Sequence, residues 1–157
     1  VGISTVYQEV NLVPTLSVAD NILLGRQPTR FGFLNKAAMR ERAEAALARI
    51  GLQLDVRAPL TACSMAQQQL VAIARALAND PPILVADEPT GSLDSITADH
   101  IFDVFEHLVG EQNKTIIMVT HDMGLASRFT RSLTITDGEL VAGEPELQLD
   151  KTVRRRR

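Results

Sequence analysis

The chain has 157 residues, a formal net charge of −3, 45% hydrophobic residues and a single cysteine. This length allows one domain at most, and the hydrophobic content argues against disorder. No apolar run approaches the ~20 residues that a membrane-spanning helix needs. The acidic balance gives no general case for nucleic-acid binding, and one cysteine excludes an internal disulfide and a cysteine-based zinc site. We therefore expect a globular domain of a reducing compartment.

The two ends carry little functional information. The chain begins at Val1, without an initiator methionine or a charged leader, so we expect neither a signal peptide nor the natural start of the protein. It closes with four arginines, Arg154–Arg157, which we interpret as a solvated terminus without a function.

The first half of the sequence predicts one strand and three helices. A β-rich run at Gly2–Tyr7 leads through a loop to a short helix around Val18–Leu24. Asn35 can cap a longer helix, and Gly51 can end it. The apolar residues of that helix recur at helical spacing: Met39, Ala43, Ala46, Leu47 and Ile50. A third helix is predicted over about Met65–Ala78, with Leu70, Ile73, Ala74 and Leu77 on its apolar face.

The second half alternates strands and helices. Ile83–Ala86 is an uninterrupted apolar run, a pattern typical of a parallel strand buried on both faces. A helix is predicted over about Ile96–Val109, a second apolar strand over Thr115–Thr120, and a short helix near Leu125. The segment from Leu133 to Val141 reads as a hairpin that turns at Asp137 and Gly138.

Polar residues follow both apolar strands of this half. Asp87 and Glu88 end the first strand, and His121 follows the second. In an open α/β sheet, chemistry is placed in the crevice at the carboxyl ends of the strands. We therefore expect these three side chains to lie close together.

The string from Asp87 to Asp94, Asp-Glu-Pro-Thr-Gly-Ser-Leu-Asp, resembles the Walker B motif and D-loop of ATP-binding cassette (ABC) ATPases. The resemblance implies that Asp87 holds Mg²⁺ and that Glu88 polarises the attacking water. Adjacent carboxylates at a strand end can serve metal and water separately, although acidic residues can also simply end a strand. Asp94, by resemblance a nucleotide-site residue, can also cap the following helix.

Two further segments resemble motifs of the same family. Val119-Thr120-His121-Asp122 is similar to the H-loop, which implies that His121 contacts the γ-phosphate, while Asp122 is expected to cap the next helix. Val6-Tyr7-Gln8-Glu9 is similar to the Q-loop. This likeness implies that Gln8 touches Mg²⁺ and the attacking water and links the core to a helical subdomain.

The segment from Ser64 to Gln69 occupies the place of the ABC signature motif. Ser64 and Gln67 have the spacing of a capping box, which is a structural role. The resemblance implies instead that both face an ATP held by a partner domain, so the two roles compete for one hydroxyl. The usual Leu-Ser-Gly-Gly-Gln is replaced here by Cys63, Ser64, Met65, Ala66 and Gln67, a variation similar to that of sugar-importer ATPases. We interpret Cys63 as a small packing residue.

These motifs, in family order, imply an α/β fold of the P-loop NTPase class: part of an ABC nucleotide-binding domain with a parallel-sheet core and a helical subdomain. We predict a helical subdomain over about 12–78, core segments over 1–11 and 79–141, and a tail over 142–157. Up to about Leu77 the sequence resembles carbohydrate-importer ATPases. Asn79–Val141 resembles lipoprotein-release or macrolide-export ATPases, which leaves a hybrid origin open.

The resemblance implies a function, cofactors and partners. The function is ATP binding and hydrolysis that drives a transporter; the cofactors are ATP and Mg²⁺. The partners are a second ABC ATPase domain and a transmembrane permease that holds the domain at the cytoplasmic face of the membrane, and no nucleic acid is expected. A noncatalytic remnant or regulatory module, or an ABC ATPase outside transport, are the alternatives.

The phosphate-binding string Gly-x-x-x-x-Gly-Lys-Ser/Thr does not occur in the 157 residues. That loop supplies backbone amides and a lysine to the phosphates. We therefore expect a chain truncated before the Q-loop and inactive by itself, and its activity as an enzyme is left open. We also expect the preceding segment to supply strands beside the Walker B strand, whose loss would expose apolar edges.

Overall fold

The computed structural model describes residues 2–8, 11–91, 93–126 and 128–141, in two compact units, Val1–Val119 and Thr120–Arg157. The predicted tail and its four arginines lie outside the described residues. None of the described helices is long and apolar enough to cross a bilayer. In chain order the first unit contains β1 (Ile3–Val6), α1 (Val18–Ile22), β2 (Thr29–Arg30), β3 (Phe33–Leu34), α2 (Lys36–Ala48), α3 (Met65–Leu77), β4 (Ile83–Asp87), α4 (Ser95–Gly110) and β5 (Thr115–Val119).

A three-stranded parallel sheet forms the centre of the first unit, in the order β1-β4-β5. Ala86 of β4 pairs with Val6 on one side and with Met118 on the other. Since β4 is paired along both edges, the expectation that a preceding segment supplies strands beside it was wrong. The carboxyl ends of the three strands meet at one edge of the sheet, where Asp87 lies opposite Val119.

The two faces of the sheet differ in burial. Leu84 and Ala86 are buried in the core, whereas the alternate residues Ile83 and Val85 are only half-buried. On β5, Ile117 pairs with Val85 and remains 53% exposed. The prediction that β4 is buried on both faces was therefore wrong. Successive side chains of a strand point to opposite faces of the sheet, so a continuous apolar run places apolar side chains on both faces. In the described residues the hydrophobic core covers only one of these faces.

The helices begin and end at the predicted residues, within two positions. The Asn35 side chain accepts a hydrogen bond from the Ala38 amide at 3.1 Å, and Gly51 stands beyond the end of α2 with a φ of 68°. All five apolar residues predicted for α2 and its end are buried. Around α3 the buried surface is wider than predicted, because Val71 and Ala76 are buried as well.

A two-stranded hairpin of β2 and β3 was not predicted. Its turn is Phe31-Gly32, with φ values of 53° and 82°. A tight hairpin of this kind needs positive φ at both central residues, where Asn and Gly are usual. Because phenylalanine occupies the first central position, the sequence lacks the usual signal for such a turn.

The buried side chain of Asn21 fixes the loop that precedes α1. Its amide nitrogen donates to the carbonyl oxygens of Val13 and Ser17 at 3.0 Å, and its oxygen accepts from the Val13 amide at 2.7 Å. An asparagine that is fully buried is tolerated only when its polar atoms are bonded in this way. The loop around Val13 is thus held to α1.

The second unit contains α5 (Met123–Ala126), β6 (Thr134–Thr136) and β7 (Glu139–Val141). The Asp122 carboxylate accepts from the amides of Gly124 and Leu125 at 2.7 and 3.2 Å, which confirms it as a helix cap. The antiparallel strands β6 and β7 turn at Asp137 and Gly138, both with positive φ, as predicted.

A polar cluster, which we call the Asp80 clasp, joins the end of α2 to two loops that precede strands. The Asp80 carboxylate, before β4, bonds to the Arg49 guanidinium and to the Lys114 ammonium, the latter at 2.5 Å. Gln112 accepts from Arg49 at 3.2 Å and donates to the Arg49 carbonyl at 2.8 Å. The hydrogen bonds of Lys114 and Arg49 lower the pKa of Asp80 from 3.8 to about 2.

The clasp makes stability depend on pH in a defined window. The folded state favours the Asp80 carboxylate, so its contribution is fully present above pH 3.8 and is lost as the pH falls towards 2. The carboxylate is largely exposed, and we expect Asp80→Asn to lower the free energy of unfolding at pH 6 by only about 1 kcal/mol. Urea midpoints should show the difference shrinking between pH 4 and pH 2. Glu44→Gln, which removes an exposed carboxylate elsewhere on α2, is the control and should show no such window; an Asp80 effect constant with pH would contradict the account.

Candidate functional site

The chain turns sharply at the carboxyl end of β4. Asp87 is the last residue of the strand, and Glu88, directly after it, has a positive φ of 40°. The Glu88 amide donates to the Val119 carbonyl at 2.9 Å, and the Glu88 carbonyl accepts from the Gly91 amide at 3.1 Å. The backbone on both sides of the Glu88 side chain is therefore fixed by hydrogen bonds. The signal for this turn in the sequence is the Glu-Pro-Thr-Gly string that follows the strand.

Two residues that are 80 positions apart in the sequence meet beyond the strand ends. The Gln8 amide nitrogen donates to the Glu88 carboxylate at 3.3 Å. The parallel pairing of β1 with β4 produces this contact, because it carries Tyr7 and Gln8 past the sheet on the side where Asp87 ends its strand. Both are predicted site residues, and the structure brings them together.

Gly91 leaves room for the Glu88 carboxylate. A β-carbon at this position would lie 3.2 Å from one carboxylate oxygen of Glu88, closer than ordinary van der Waals contact. The sequence placed Gly91 inside the D-loop string without giving it a role. The structure shows why a residue without a side chain is needed there: the Glu88 carboxylate folds back over the turn and lies against Gly91.

Ser64 and Gln67 form the predicted capping box at the start of α3. The Gln67 amide donates to the Ser64 hydroxyl at 3.2 Å, and the Ser64 amide donates to the Gln67 side-chain oxygen at 2.9 Å. Gln68 donates to the Cys63 carbonyl at 3.0 Å, and the half-buried Cys63 packs against the core. Burial raises the pKa of the Cys63 thiol, which agrees with a packing role.

Asp94 caps α4. Its carboxylate accepts from the Thr97 amide at 3.0 Å and from the Thr97 hydroxyl at 2.8 Å. These bonds with Thr97 lower the pKa of Asp94. The capping role that the sequence predicted for Asp94 is thus confirmed. The Asp94 carboxylate is exposed, and its role in a nucleotide site stays a prediction.

His121 belongs to the second unit, which is described by itself. It follows the last residue of β5 by two positions. Its predicted proximity to Asp87 and Glu88 therefore stays a prediction, as does its contact with phosphate.

The donors at the end of β4 suit a hard cation. Asp87, Glu88 and Gln8 offer carboxylate and amide oxygens, the ligands that Mg²⁺ prefers. Within the described ranges, no group of three or more His, Cys, Asp or Glu side chains could hold a metal ion. The chemistry of the donors Asp87, Glu88 and Gln8 is compatible with Mg²⁺, which commonly takes one or two protein carboxylates, with water and phosphate as the other ligands.

Known proteins with similar sequences show the family of the chain. A family model described as "ABC transporter" matches residues 1–91. The chain is 44% identical over 134 residues to the galactofuranose transporter ATP-binding protein YtfR of Escherichia coli K12, covering 85% of this chain and 27% of that protein. It is 37% identical to the ribose import ATP-binding protein RbsA of Corynebacterium glutamicum, covering 92% of this chain and 28% of the relative. The chain therefore spans less than a third of the length of these curated relatives.

Solved structures with the same fold are ABC cassettes. The post-hydrolysis dimer of the ATP-binding cassette MJ0796 bound to ADP and phosphate matches with a TM-score of 0.73 and 37% identity, covering 90% of this chain and 62% of that chain. CbiO1 of Clostridium perfringens, part of the transporter complex cbiONQ, matches with a TM-score of 0.77 and 27% identity, covering 90% and 56%. The predicted fold class is confirmed as part of such a cassette. The chain belongs to the ABC transporter family, of whose ATP-binding cassette it forms a part.

Proposed function

We propose that the chain is part of the ATP-binding and ATP-hydrolysing component of an ABC transporter, with Glu88 as the general base. The observation that carries the proposal is the hydrogen bond between Gln8 and Glu88 at the carboxyl ends of β1 and β4. An amide beside a carboxylate can hold a water molecule while the carboxylate accepts its proton. The family match supports ATP as the ligand.

ATP hydrolysis requires mainly that the attacking water is positioned and that the negative charge on the phosphates is neutralised. In phosphoryl transfer a water attacks the γ-phosphate in line with the leaving oxygen. The Glu88 carboxylate accepts the proton of that water, Gln8 orients it, and the His121 imidazole donates to a phosphate oxygen. Asp87 is the proposed Mg²⁺ residue, with Gln8 as a second ligand. The metal, when bound, neutralises charge on the phosphates.

A second ATPase domain completes the proposed site. Ser64 and Gln67, at the start of α3, would face the nucleotide of the partner, and Asp94 would lie near the same interface. The dimeric cassette MJ0796 supports this arrangement. In the present structure the Ser64 hydroxyl accepts from its own helix, and a hydroxyl can accept there while its proton is donated to a phosphate.

A membrane permease is the second proposed partner, and it would place the chain at the cytoplasmic side of a membrane. The relatives named for galactofuranose transport and for ribose import support a sugar as the cargo and import as the direction. No nucleic-acid partner is proposed, in keeping with the net charge of −3.

Replacement of the general base tests the proposal. In a version that includes an upstream phosphate-binding loop in frame, Glu88→Gln should keep ATP bound and should reduce its turnover roughly 100-fold or more, because only proton acceptance is lost. Steady-state phosphate release and nucleotide retention on a filter measure the two effects. The 157 residues alone provide the baseline, and we expect no appreciable turnover from them. Equal turnover in the variant would remove Glu88 as the base, and no turnover in the extended protein would favour the noncatalytic remnant.

Gly91→Ala tests whether the position of the Glu88 carboxylate matters. The added methyl group would lie 3.2 Å from a carboxylate oxygen of Glu88, so we expect the carboxylate to shift by a few tenths of an ångström. We expect the extended protein to keep its fold and its affinity for ATP and to lose turnover about tenfold, because small misplacements at a reacting centre are costly. The matched control is Gly110→Ala at the end of α4, where a β-carbon meets nothing within 4 Å. Unchanged turnover in Gly91→Ala would contradict the role given to this position.

A further inference from the structure

Arg75 is a half-buried cation near the end of α3, and it holds a main-chain oxygen of another segment. Its guanidinium donates to the Asn11 carbonyl at 2.7 Å. Within the described residues no carboxylate forms a salt bridge with Arg75. A hydrogen bond with a charged donor is roughly twice as strong as one between neutral groups. The bond to Asn11 is therefore a strong link between α3 and the chain that follows β1.

The carbonyl that Arg75 holds lies close in sequence to the proposed site. Asn11 follows Gln8 by three positions, a length of chain that spans about 10 Å at most. Gln8 in turn donates to Glu88 at 3.3 Å, which is long for a hydrogen bond of this kind. Because this bond is already long, a small displacement of Gln8 would break it.

A cavity lies beside the segment that contains Asn11. It has a volume of about 370 Å³ and is lined in part by β1, by Tyr7 and Asn11, and by Ala72 and Ala76 of α3. The two alanines have short side chains and leave space between the helix and the segment. Arg75 lines the same cavity, and its long side chain reaches across to Asn11. The guanidinium thus provides a support that the alanines cannot.

A cation in the last turn of a helix can also act on the helix dipole, without any link to the site. At the end of α3 other groups already serve the free carbonyls. The Leu77 carbonyl accepts from the Asp80 amide at 2.8 Å and from the Arg49 guanidinium at 3.3 Å. The Arg75 guanidinium is directed instead to Asn11, which favours a role in holding that segment.

We propose that Arg75 is a positioning residue for ATP hydrolysis: it holds the segment at Asn11 and thereby keeps Gln8 against Glu88. The inference rests on the proposed function, in which Gln8 orients the attacking water and Glu88 accepts its proton. Loss of the Arg75 bond would let the segment shift and Gln8 withdraw from Glu88. The chemical step would slow, whereas the affinity for ATP, which depends mainly on the phosphate-binding loop, would change little.

Turnover by a version with an upstream phosphate-binding loop in frame tests the proposal. Arg75→Met keeps the length of the side chain and removes its donors. We expect it to lower kcat about tenfold and to change the KM for ATP less than about twofold, since small misplacements at a reacting centre are costly. Arg75→Lys retains a donor for the single carbonyl and should stay within about threefold of the unchanged protein.

Arg26→Met is the matched control. Arg26 lines the same cavity, but the guanidinium that bonds to Asn11 is that of Arg75. The control should hydrolyse ATP at the rate of the unchanged protein. A loss in Arg26→Met as large as that in Arg75→Met would overturn the proposal. So would full activity of Arg75→Met in a protein that Gln8→Ala impairs.

An effect that acts through Gln8 must disappear when Gln8 is removed. In the Gln8→Ala background, Arg75→Met should cost less than about twofold more, because residues that act as a unit are non-additive. A merely structural role, such as support of α3, would lower turnover by the same factor in both backgrounds. A further loss of about tenfold in the Gln8→Ala background would therefore overturn the proposal.

The side-chain amide of Gln8 gives a readout that needs no turnover. Its signal in a nitrogen–proton correlation spectrum of the 157-residue chain is identified by its loss in Gln8→Ala. We expect the signal to shift in Arg75→Met and in Glu88→Ala, and to stay close to its original position in Arg75→Lys and Arg26→Met. An unshifted signal in Arg75→Met would overturn the proposal. An extended protein without turnover would refute the ATPase proposal, and this spectrum would still decide whether Arg75 positions Gln8.

Discussion

The left-handed backbone at Glu88 is the constraint on which the site depends. A positive φ at a residue with a side chain costs on the order of 1 kcal/mol, and Pro89 restricts the preceding residue further. Two backbone hydrogen bonds, to the Val119 carbonyl and from the Gly91 amide, offset this cost, since each contributes about 1 kcal/mol. Their effect is to end β4 abruptly and to hold the Glu88 carboxylate beyond the sheet, where Gln8 reaches it. A strand that simply ran on would carry the carboxylate away.

Separate hydrogen bonds hold the loop before α1 and the loop before β4 to the helices of the first unit. Asn11 and Val13 are each anchored: Arg75 of α3 donates to the Asn11 carbonyl at 2.7 Å, and Asn21 of α1 holds the Val13 backbone. The Asp80 clasp adds a third connection, between the end of α2 and the loop before β4.

Much of this arrangement can be read from the sequence, and the exceptions have physical reasons. Local patterns predicted the caps at Asn35, Ser64 and Asp94, because a capping residue bonds within three positions of itself. The contact between Gln8 and Glu88 was not predicted, because it joins residues 80 positions apart and no local signal connects them. The exposed face of the sheet could not be predicted, since an apolar strand does not reveal which elements cover it. The hairpin of β2 and β3 was missed because its turn uses phenylalanine with a positive φ.

The central claim is that Gln8 and Glu88 act as one unit on the attacking water. A double-mutant cycle tests it most directly, with single-turnover ATP hydrolysis measured for Gln8→Ala, Glu88→Gln and the double variant in a version that carries a phosphate-binding loop. Residues that act as a unit are strongly non-additive. We predict that the double variant is no slower than Glu88→Gln alone, within about twofold. Effects of the two changes that multiply would contradict the account, because they would show that the two side chains contribute independently.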